Sequence, residues 1–238
     1  MKRREFMSQS AGLGLVIATT SVPNILAISS EKASKLTAPP KGKIPVAFAI
    51  SDGVTVIDFA GPWEVFQDVM VTQRGQDHED QMPFELFTVS EKTEPLAGSA
   101  GLKLVPDYTF DSAPQPKVVV VPAQRGSKAL HAWLQKMSTS TDVIMSVCTG
   151  AFQLGKAGLL SGKDATTHHD FFDQFAKAFP DVGLKRGLRF VENEKISTAG
   201  GLTSGIDLAL RVVERYFGRE TAQTTATYME YQSKGWIV

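Results

Sequence analysis

The single cysteine of the chain, Cys148, lies where a nucleophile would be expected. The apolar residues 143–147 predict a buried strand that ends directly before it, and a helical pattern follows at residues 152–160. Small residues stand two positions away on each side, Ser146 and Gly150, as a sharp turn from strand to helix requires. We therefore predict a nucleophile elbow that exposes the thiol at a helix N-terminus and lowers its pKa. The alternative is a buried structural cysteine.

A carboxyl group could reach this thiol from a second segment. Asp58 belongs to residues 57–62, which we predict as a loop between a first strand and a helix that begins at Pro62. Beside a thiolate in a poorly solvated pocket the pKa of Asp58 would rise, and the neutral acid could donate a hydrogen bond to the sulfur. Loss of Asp58 would then raise the pKa of the thiol. The alternative is that Asp58 only caps the helix.

The rest of the pattern alternates strands with helices, which would bring these two segments together. Strands are predicted at residues 44–50, 84–89, 118–121 and 143–147, with a hairpin at 188–197, and helices at 62–70, 127–137, 152–160, 171–179 and 206–217. Ser127 is expected to cap the second of these helices, and Gly218 to end the last. This alternation predicts an α/β fold, a single-domain three-layer sandwich with a mainly parallel, doubly wound, flavodoxin-like sheet. The carboxyl ends of such strands form the site.

The overall composition is that of an ordinary globular protein. Of the 238 residues 42% are hydrophobic and 21% charged, and 25 basic side chains balance 25 acidic ones. Because there is no excess of positive charge to neutralise a phosphate backbone, we predict no nucleic-acid partner. One cysteine cannot form an internal disulfide, and with four scattered histidines it gives no basis for a thiolate zinc site.

The first residues have the layout of an export signal. Basic residues at positions 2–4 precede a mildly apolar stretch at 11–27, and the adjacent arginines followed by Phe6 resemble a bacterial twin-arginine signal. Pro23 interrupts the apolar stretch, which argues against a membrane-spanning anchor. The alternative is a frayed basic terminus.

The chain therefore divides into three predicted parts. Residues 1–30 are a signal peptide of the twin-arginine type, residues 31–42 a linker, and residues 43–238 the folded domain. We expect the processed protein in the bacterial periplasm or another extracytoplasmic location, without a membrane anchor.

Three segments, in order, resemble the ThiJ/PfpI superfamily within the class I glutamine-amidotransferase-like fold. They are residues 58–66, 146–168 and 199–210, and the resemblance as a whole extends over about residues 44–230. The nearest subgroups are the isonitrile hydratases and the amidase-like ligand domains of some transcription regulators. The resemblance implies that Cys148 is the nucleophile, Asp58 its hydrogen-bonding acid/base partner and Thr149 a further site residue.

The chain departs from the pattern of this superfamily at informative positions. Thr149 stands where protease-like relatives usually have a histidine, which disfavours a Cys-His peptidase mechanism. The family's Pro-Gly-Gly loop, whose backbone contributes to an oxyanion hole, is Pro-Ala-Gln here, so Ala123 and Gln124, with Gly150, are the expected oxyanion or substrate loop. His168 matches a family histidine, which we interpret as structural, with an accessory role as the alternative.

Two further clusters are given a structural interpretation. His168, His169 and Asp170 are adjacent, but no H-E-x-x-H motif or further ligand at a defined spacing accompanies them, so we predict no metal site. Residues 199–205 are rich in glycine but lack the spacing of a phosphate or dinucleotide loop, and we predict a tight turn followed by a Thr or Ser helix cap.

The resemblance implies a cofactor-independent cysteine enzyme that hydrates a small isonitrile to an N-substituted formamide, in a homodimer. The alternatives are an exported ligand-binding or redox-sensing module without turnover, and cysteine chemistry on reactive carbonyls or amides.

Overall fold

The computed structural model describes residues 34–238, which contain eleven strands and seven α-helices. The strands are β1 (Ile44–Ala49), β2 (Phe84–Ser90), β3 (Leu96–Ala97), β4 (Lys103–Leu104), β5 (Tyr108–Thr109), β6 (Val118–Val121), β7 (Val143–Val147), β8 (Asp164–Ala165), β9 (Gly183–Leu184), β10 (Phe190–Asn193) and β11 (Ile196–Ala199). The helices are α1 (Val56–Gln67), α2 (His78–Gln81), α3 (Lys128–Ser138), α4 (Gly150–Lys156), α5 (Phe172–Ala178), α6 (Ser204–Phe217) and α7 (Arg219–Tyr228).

A seven-stranded sheet in the order β10-β11-β7-β6-β1-β2-β5 forms the centre of the domain. All neighbours pair in parallel except β10 and β11, which form the predicted antiparallel hairpin. The strand order reverses at β1, because β2 follows on one side and β6 on the other. A crevice therefore opens at the carboxyl ends of β1 and β6, where such sheets hold their sites.

Helices cover both faces of this sheet, which confirms the predicted three-layer α/β sandwich. On β1, Val46 and Phe48 face the core under α1, α6 and α7, whereas Ala47 and Ala49 face the core under α3, α4 and α5. The four valines of β6 are fully buried, as expected for a strand with helices on both sides.

Most of the longer elements lie where the sequence predicts them. The Oγ of Ser127 accepts a hydrogen bond from the N–H of Leu130 at 3.1 Å, so the predicted cap of α3 is confirmed. Gly218 ends α6 with φ +90°, a conformation that glycine adopts without strain. Helix α7 and the short strand β5 were not predicted, because neither has a strong apolar period.

Two predicted boundaries are wrong. Helix α1 begins at Val56, not at Pro62, so the predicted loop at 57–62 is helical and Asp58 lies in the first turn. Pro62 is buried inside α1 and packs beside Gly205 of α6, and this packing outweighs the helix hydrogen bond that a proline cannot make. Helix α4 ends at Lys156 instead of residue 160, just before Gly158, whose φ of +73° belongs to a turn.

The described part of the predicted linker, residues 34–42, lies against the domain. The guanidinium of Arg215 donates to the carbonyl oxygen of Ser34 at 3.0 Å, and the N–H of Leu36 donates to the carbonyl oxygen of Arg215 at 2.8 Å. Residues 1–33, including the predicted signal peptide, lie outside the described residues. Within residues 34–238 no helix combines the length and apolarity needed to cross a bilayer.

Candidate active site

Cys148 lies on a sharp turn between β7 and α4, with φ +59°. Few residues other than glycine adopt this left-handed conformation, so the surroundings must hold it. The N–H of Cys148 donates to the carbonyl oxygen of Gly200 at 2.8 Å, and the hydroxyl of Thr167 donates to the carbonyl oxygen of Cys148 at 2.9 Å. A β-carbon at Gly150 would lie 2.0 Å from the carbonyl oxygen of Val121, so the close approach of α4 to β6 requires glycine.

The carboxyl group of Asp58 is fully buried beside the thiol. Its Oδ2 accepts a hydrogen bond from the N–H of Ala123 at 3.2 Å, and the carboxyl also interacts with the thiol of Cys148 and the N–H of Leu202. Its Oδ1 has no further geometric hydrogen-bond partner among residues 34–238. Asp58 thus binds the β6 loop and the elbow instead of capping α1; Thr55, the N-cap residue before α1, makes no side-chain capping hydrogen bond either.

Burial in a site that is shielded from water raises the pKa of both groups. Burial raises the pKa of Asp58 from 3.8 to about 6, while the hydrogen bonds from Ala123, Cys148 and Leu202 limit the rise. Burial, and then the negative charge of Asp58, raise the pKa of Cys148 from 9.0 to about 11, although the N–H groups of Thr149 and Leu202 favour the thiolate.

The expected exposure and low pKa of the thiol are therefore wrong, and so is the expected neutral acid beside a thiolate, whereas the expected rise in the pKa of Asp58 is confirmed in direction. Cys148 is only 7% exposed, so the loss of hydration and the neighbouring carboxylate outweigh the backbone N–H groups at the elbow. Between about pH 6 and pH 11 the pair holds one proton and carries one negative charge.

Sequence reasoning missed Leu202 because its contribution is a backbone N–H, which is independent of side-chain type. Leu202 has φ +51° and lies in the turn between β11 and α6, here called the site turn (residues 200–203). The two glycines of this turn were the available signal: a β-carbon at Gly201 would lie 2.2 Å from the imidazole of His168. His168 thus supports the site turn, in agreement with a structural role.

A network of hydrogen bonds from Arg189 and from the C-terminal tail holds the other end of the site turn. Arg189 donates to the fully buried carboxylate of Asp207 at 2.5 Å and to the hydroxyl of Thr203 at 3.3 Å. Tyr231 donates to the carbonyl oxygen of Thr203 at 3.3 Å, and Ser233 donates to Asp207 at 3.0 Å. Thr203 precedes α6 without a side-chain cap, so the predicted hydroxyl cap is wrong for this residue.

The predicted oxyanion loop is arranged differently from expectation. The N–H of Ala123 is directed at Asp58 and is not free for a substrate anion. The side-chain amide of Gln124 donates to the carbonyl oxygen of Ala49 at 2.7 Å. Beside the sulfur, the backbone donors are instead the N–H groups of Thr149 and Leu202.

The histidine pair after β8 forms a turn cap. Ligand atoms of His168, His169 and Asp170 lie within 4.8 Å of one another, which is close enough for a metal ion. However, Nδ1 of His168 accepts a hydrogen bond from the N–H of Asp170 at 3.2 Å, and the two imidazoles stack at 4.4 Å. A cation at Nδ1 would break this hydrogen bond, so we assign the cluster a structural role.

Together, the sheet, the cysteine elbow and the buried acid define a flavodoxin-like α/β protein with a candidate thiol site. The sequence profile of the DJ-1/PfpI family matches residues 45–215. The chain belongs to the DJ-1/PfpI family.

Relatives with this domain have different functions. The chain is 30% identical to an isonitrile hydratase of Pseudomonas putida over 195 residues, which cover 79% of this chain and 78% of the relative. It is 27% identical to the transcriptional regulator GbdR of Pseudomonas aeruginosa over 201 residues, 82% of this chain but only 53% of the regulator. The chain thus spans about half of that regulator.

Solved structures agree with this fold. A ThiJ/PfpI family protein from Pseudomonas syringae superimposes with a TM-score of 0.67 at 26% identity, over 83% of this chain and 78% of that one. DJ-1beta of Drosophila melanogaster gives a TM-score of 0.66 at 17% identity, over 81% of this chain and all of that one. The family thus includes an enzyme, transcriptional regulators and DJ-1 proteins.

Proposed function

We propose that this protein hydrates a small isonitrile to an N-substituted formamide, with Cys148 as nucleophile and Asp58 as acid and base. The observation that carries the proposal is the fully buried Asp58 carboxyl, which lies beside the thiol of Cys148 and interacts with it. The similarity to an isonitrile hydratase supports the choice of substrate.

The reaction needs only groups that lie in the site. The sulfur attacks the terminal carbon of the isonitrile, Asp58 takes the thiol proton and passes it to that carbon, and a thioimidate forms. Water then adds to the same carbon; Asp58 accepts one proton from the water and passes it to the nitrogen, which gives a tetrahedral intermediate with a hydroxyl group. The carbon–sulfur bond breaks as Asp58 takes the hydroxyl proton and returns it to the departing sulfur, so the formamide leaves and the thiol is restored. In total, one isonitrile and one water give one N-substituted formamide.

The titration of the pair sets the expected pH dependence. The first step requires an ionised Asp58 and a protonated thiol, so kcat/KM should rise through about pH 6 and fall through about pH 11. An optimum on the acid side of pH 5 would contradict these roles.

The test is incubation of the purified protein with a panel of small alkyl and aryl isonitriles, and detection of formamides by mass spectrometry. Cys148→Ser should remove the activity, and Asp58→Asn should lower kcat by about 100-fold or more. Glu64→Gln is the matched control, because Glu64 is exposed on the same helix. No formamide from any isonitrile, or full activity in Cys148→Ser, would refute the proposal.

A ligand-binding module without turnover is the second candidate. A thiol of pKa about 11 is almost wholly protonated at neutral pH, and a regulator relative shares the domain. The same titration disfavours redox sensing, which depends on thiolate. Glyoxals in the panel test the carbonyl alternative, and binding of panel members without turnover would favour the module.

We also propose twin-arginine export and a homodimer. Export is supported by Arg3 and Arg4, and changing both to lysine should leave unprocessed protein in the cytoplasm. A processed protein outside the cytoplasm in that variant would overturn the export proposal.

The exposed apolar side chains of Ile57 and Leu202 beside the site support a homodimer. Light scattering tests it by measuring the molar mass of the protein in solution; the mass of a single chain would overturn the dimer proposal.

A further inference from the structure

A cavity of about 180 Å³ adjoins the candidate site on the side of α4. We call it the side cavity; its lining includes Gln124, Arg125, Thr149, Phe152, Lys156 and Phe171. Two of these residues are chain neighbours of the reacting pair. Thr149 follows Cys148, and Gln124 follows Ala123, whose N–H holds Asp58. The side cavity therefore begins at the residues next to the reacting pair, although Cys148 and Asp58 themselves do not line it.

A buried amide fixes the shape of the side cavity. Gln153 is 3% exposed, and its side chain donates to the carbonyl oxygen of Gln124 at 3.1 Å while its Oε1 pairs with His131 at 2.9 Å. A β-carbon at Gly126 would lie 2.1 Å from this Oε1, so the loop after β6 packs closely on the amide. The loop that carries Arg125 is therefore tied to α4 and not free to move away.

The charges around the side cavity have one sign. Arg125 and Lys156 both line it, no acidic side chain does, and neither cation forms an ion pair within the described part of the chain. Arg125 also lines a neighbouring cavity together with Glu91 and Glu94, whose carboxylates can compete with a ligand for its guanidinium. Lys156 does not line that neighbouring cavity. The phenyl rings of Phe152 and Phe171 supply an apolar wall.

We propose that the preferred substrates are isonitriles whose N-substituent ends in a carboxylate, which binds in the side cavity near Lys156 and Arg125. This inference rests on the proposed function, which it narrows to one substrate class. The volume corresponds to about six water molecules, so the cavity accepts a carboxylate with a short apolar or single-ring spacer. The ring or chain packs on the phenylalanines while the charge remains near the rim.

The test compares two aryl isonitriles of equal length, one with a para-carboxylate and one with a para-nitro group, which has the same shape without the charge. The ratio of their kcat/KM values should favour the carboxylate in the native protein. It should fall about two- to fivefold in Lys156→Gln and in Arg125→Gln, as for ion pairs of exposed side chains. High salt should reduce the preference as well.

Lys177→Gln is the control, because Lys177 is an exposed lysine of α5 outside the lining. It should leave the ratio unchanged. If both isonitriles are hydrated but Lys156→Gln and Arg125→Gln leave the ratio as it is, the inference is overturned and the proposed function stands.

If no isonitrile is hydrated, the proposed function fails and the side cavity is tested by binding alone. Benzoate should then slow the alkylation of Cys148 by iodoacetamide in a saturable way, with weaker protection in Lys156→Gln. Absence of protection, or equal protection in the variant, would overturn the inference.

Discussion

Asp58→Asn should make the folded protein more stable at alkaline pH while it removes the acid and base of the site. The side chain is fully buried, and burial raises its pKa from 3.8 to about 6. Asparagine has the same shape, accepts the N–H of Ala123 through its oxygen, and does not ionise. The substitution therefore isolates the effect of the charge.

The direction follows from which state binds the proton more tightly. A pKa that is raised on folding adds stability fully below pH 3.8, and this contribution is lost as the pH rises through about 6. At pH 8 the folded protein thus holds a buried carboxylate at a cost of about 3 kcal/mol. Asparagine avoids this cost, but its single oxygen cannot accept hydrogen bonds from all the donors that contact Asp58. This loss lowers the free energy of unfolding by about 1 kcal/mol. The variant should be about 2 kcal/mol more stable at pH 8.

Urea unfolding of both proteins at pH 8 and at pH 4 measures this difference. The advantage of Asp58→Asn should disappear or reverse at pH 4, where the native acid is protonated. Glu64→Gln, on the exposed side of the same helix, should show no comparable pH-dependent difference. A variant that is less stable at pH 8, or a difference independent of pH, would refute the assignment of a buried, charged Asp58.

Three further predictions concern the elbow and the site turn. Alkylation of Cys148 should have a pH midpoint near 11, and Asp58→Ala should lower this midpoint because it removes the neighbouring negative charge. This direction is opposite to the one predicted from the sequence. An unchanged midpoint would contradict it. Gly150→Ala should destabilise the fold by at least about 1–3 kcal/mol in urea unfolding, because its β-carbon would meet a strand carbonyl oxygen at 2.0 Å, and a stable variant would show that the elbow relaxes. Tyr231→Phe removes the hydrogen bond to the carbonyl oxygen of Thr203 and so loosens the site turn that holds the N–H of Leu202 at the sulfur. It should raise the alkylation midpoint of Cys148 without unfolding the protein. Tyr228→Phe should leave the midpoint unchanged, because Tyr228 is 74% exposed.

The position of the thiol could be predicted from the sequence because its signals are local. The apolar run before Cys148 defines a buried strand, and the small residues on both sides are what the turn requires. The valines of β6 and the cap at Ser127 are equally local, and the structure confirms both. Periodicity and turn chemistry together were enough for the sheet and most of its helices.

The environment of the thiol could not be predicted because it depends on contacts that are distant in the chain. A helix start at Pro62 is a sound local expectation, but packing on α6 extends α1 to Val56 and so buries Asp58. The N–H of Leu202 reaches the thiol only because the site turn folds over the elbow. The error in the thiol pKa has the same origin, since burial is the largest cause of its rise.

The arrangement of donors also bears on which reaction the site favours. Hydrolysis of an amide develops an oxyanion, and an enzyme stabilises it with free backbone N–H groups. Here the N–H of Ala123 is already bound to Asp58, so one such donor is missing. Attack on an isonitrile creates no oxyanion, because the carbon that forms the bond to sulfur takes up the proton. The thiol of Cys148 and the carboxyl of Asp58 can supply that proton, which is the reason that we propose hydration instead of amide hydrolysis.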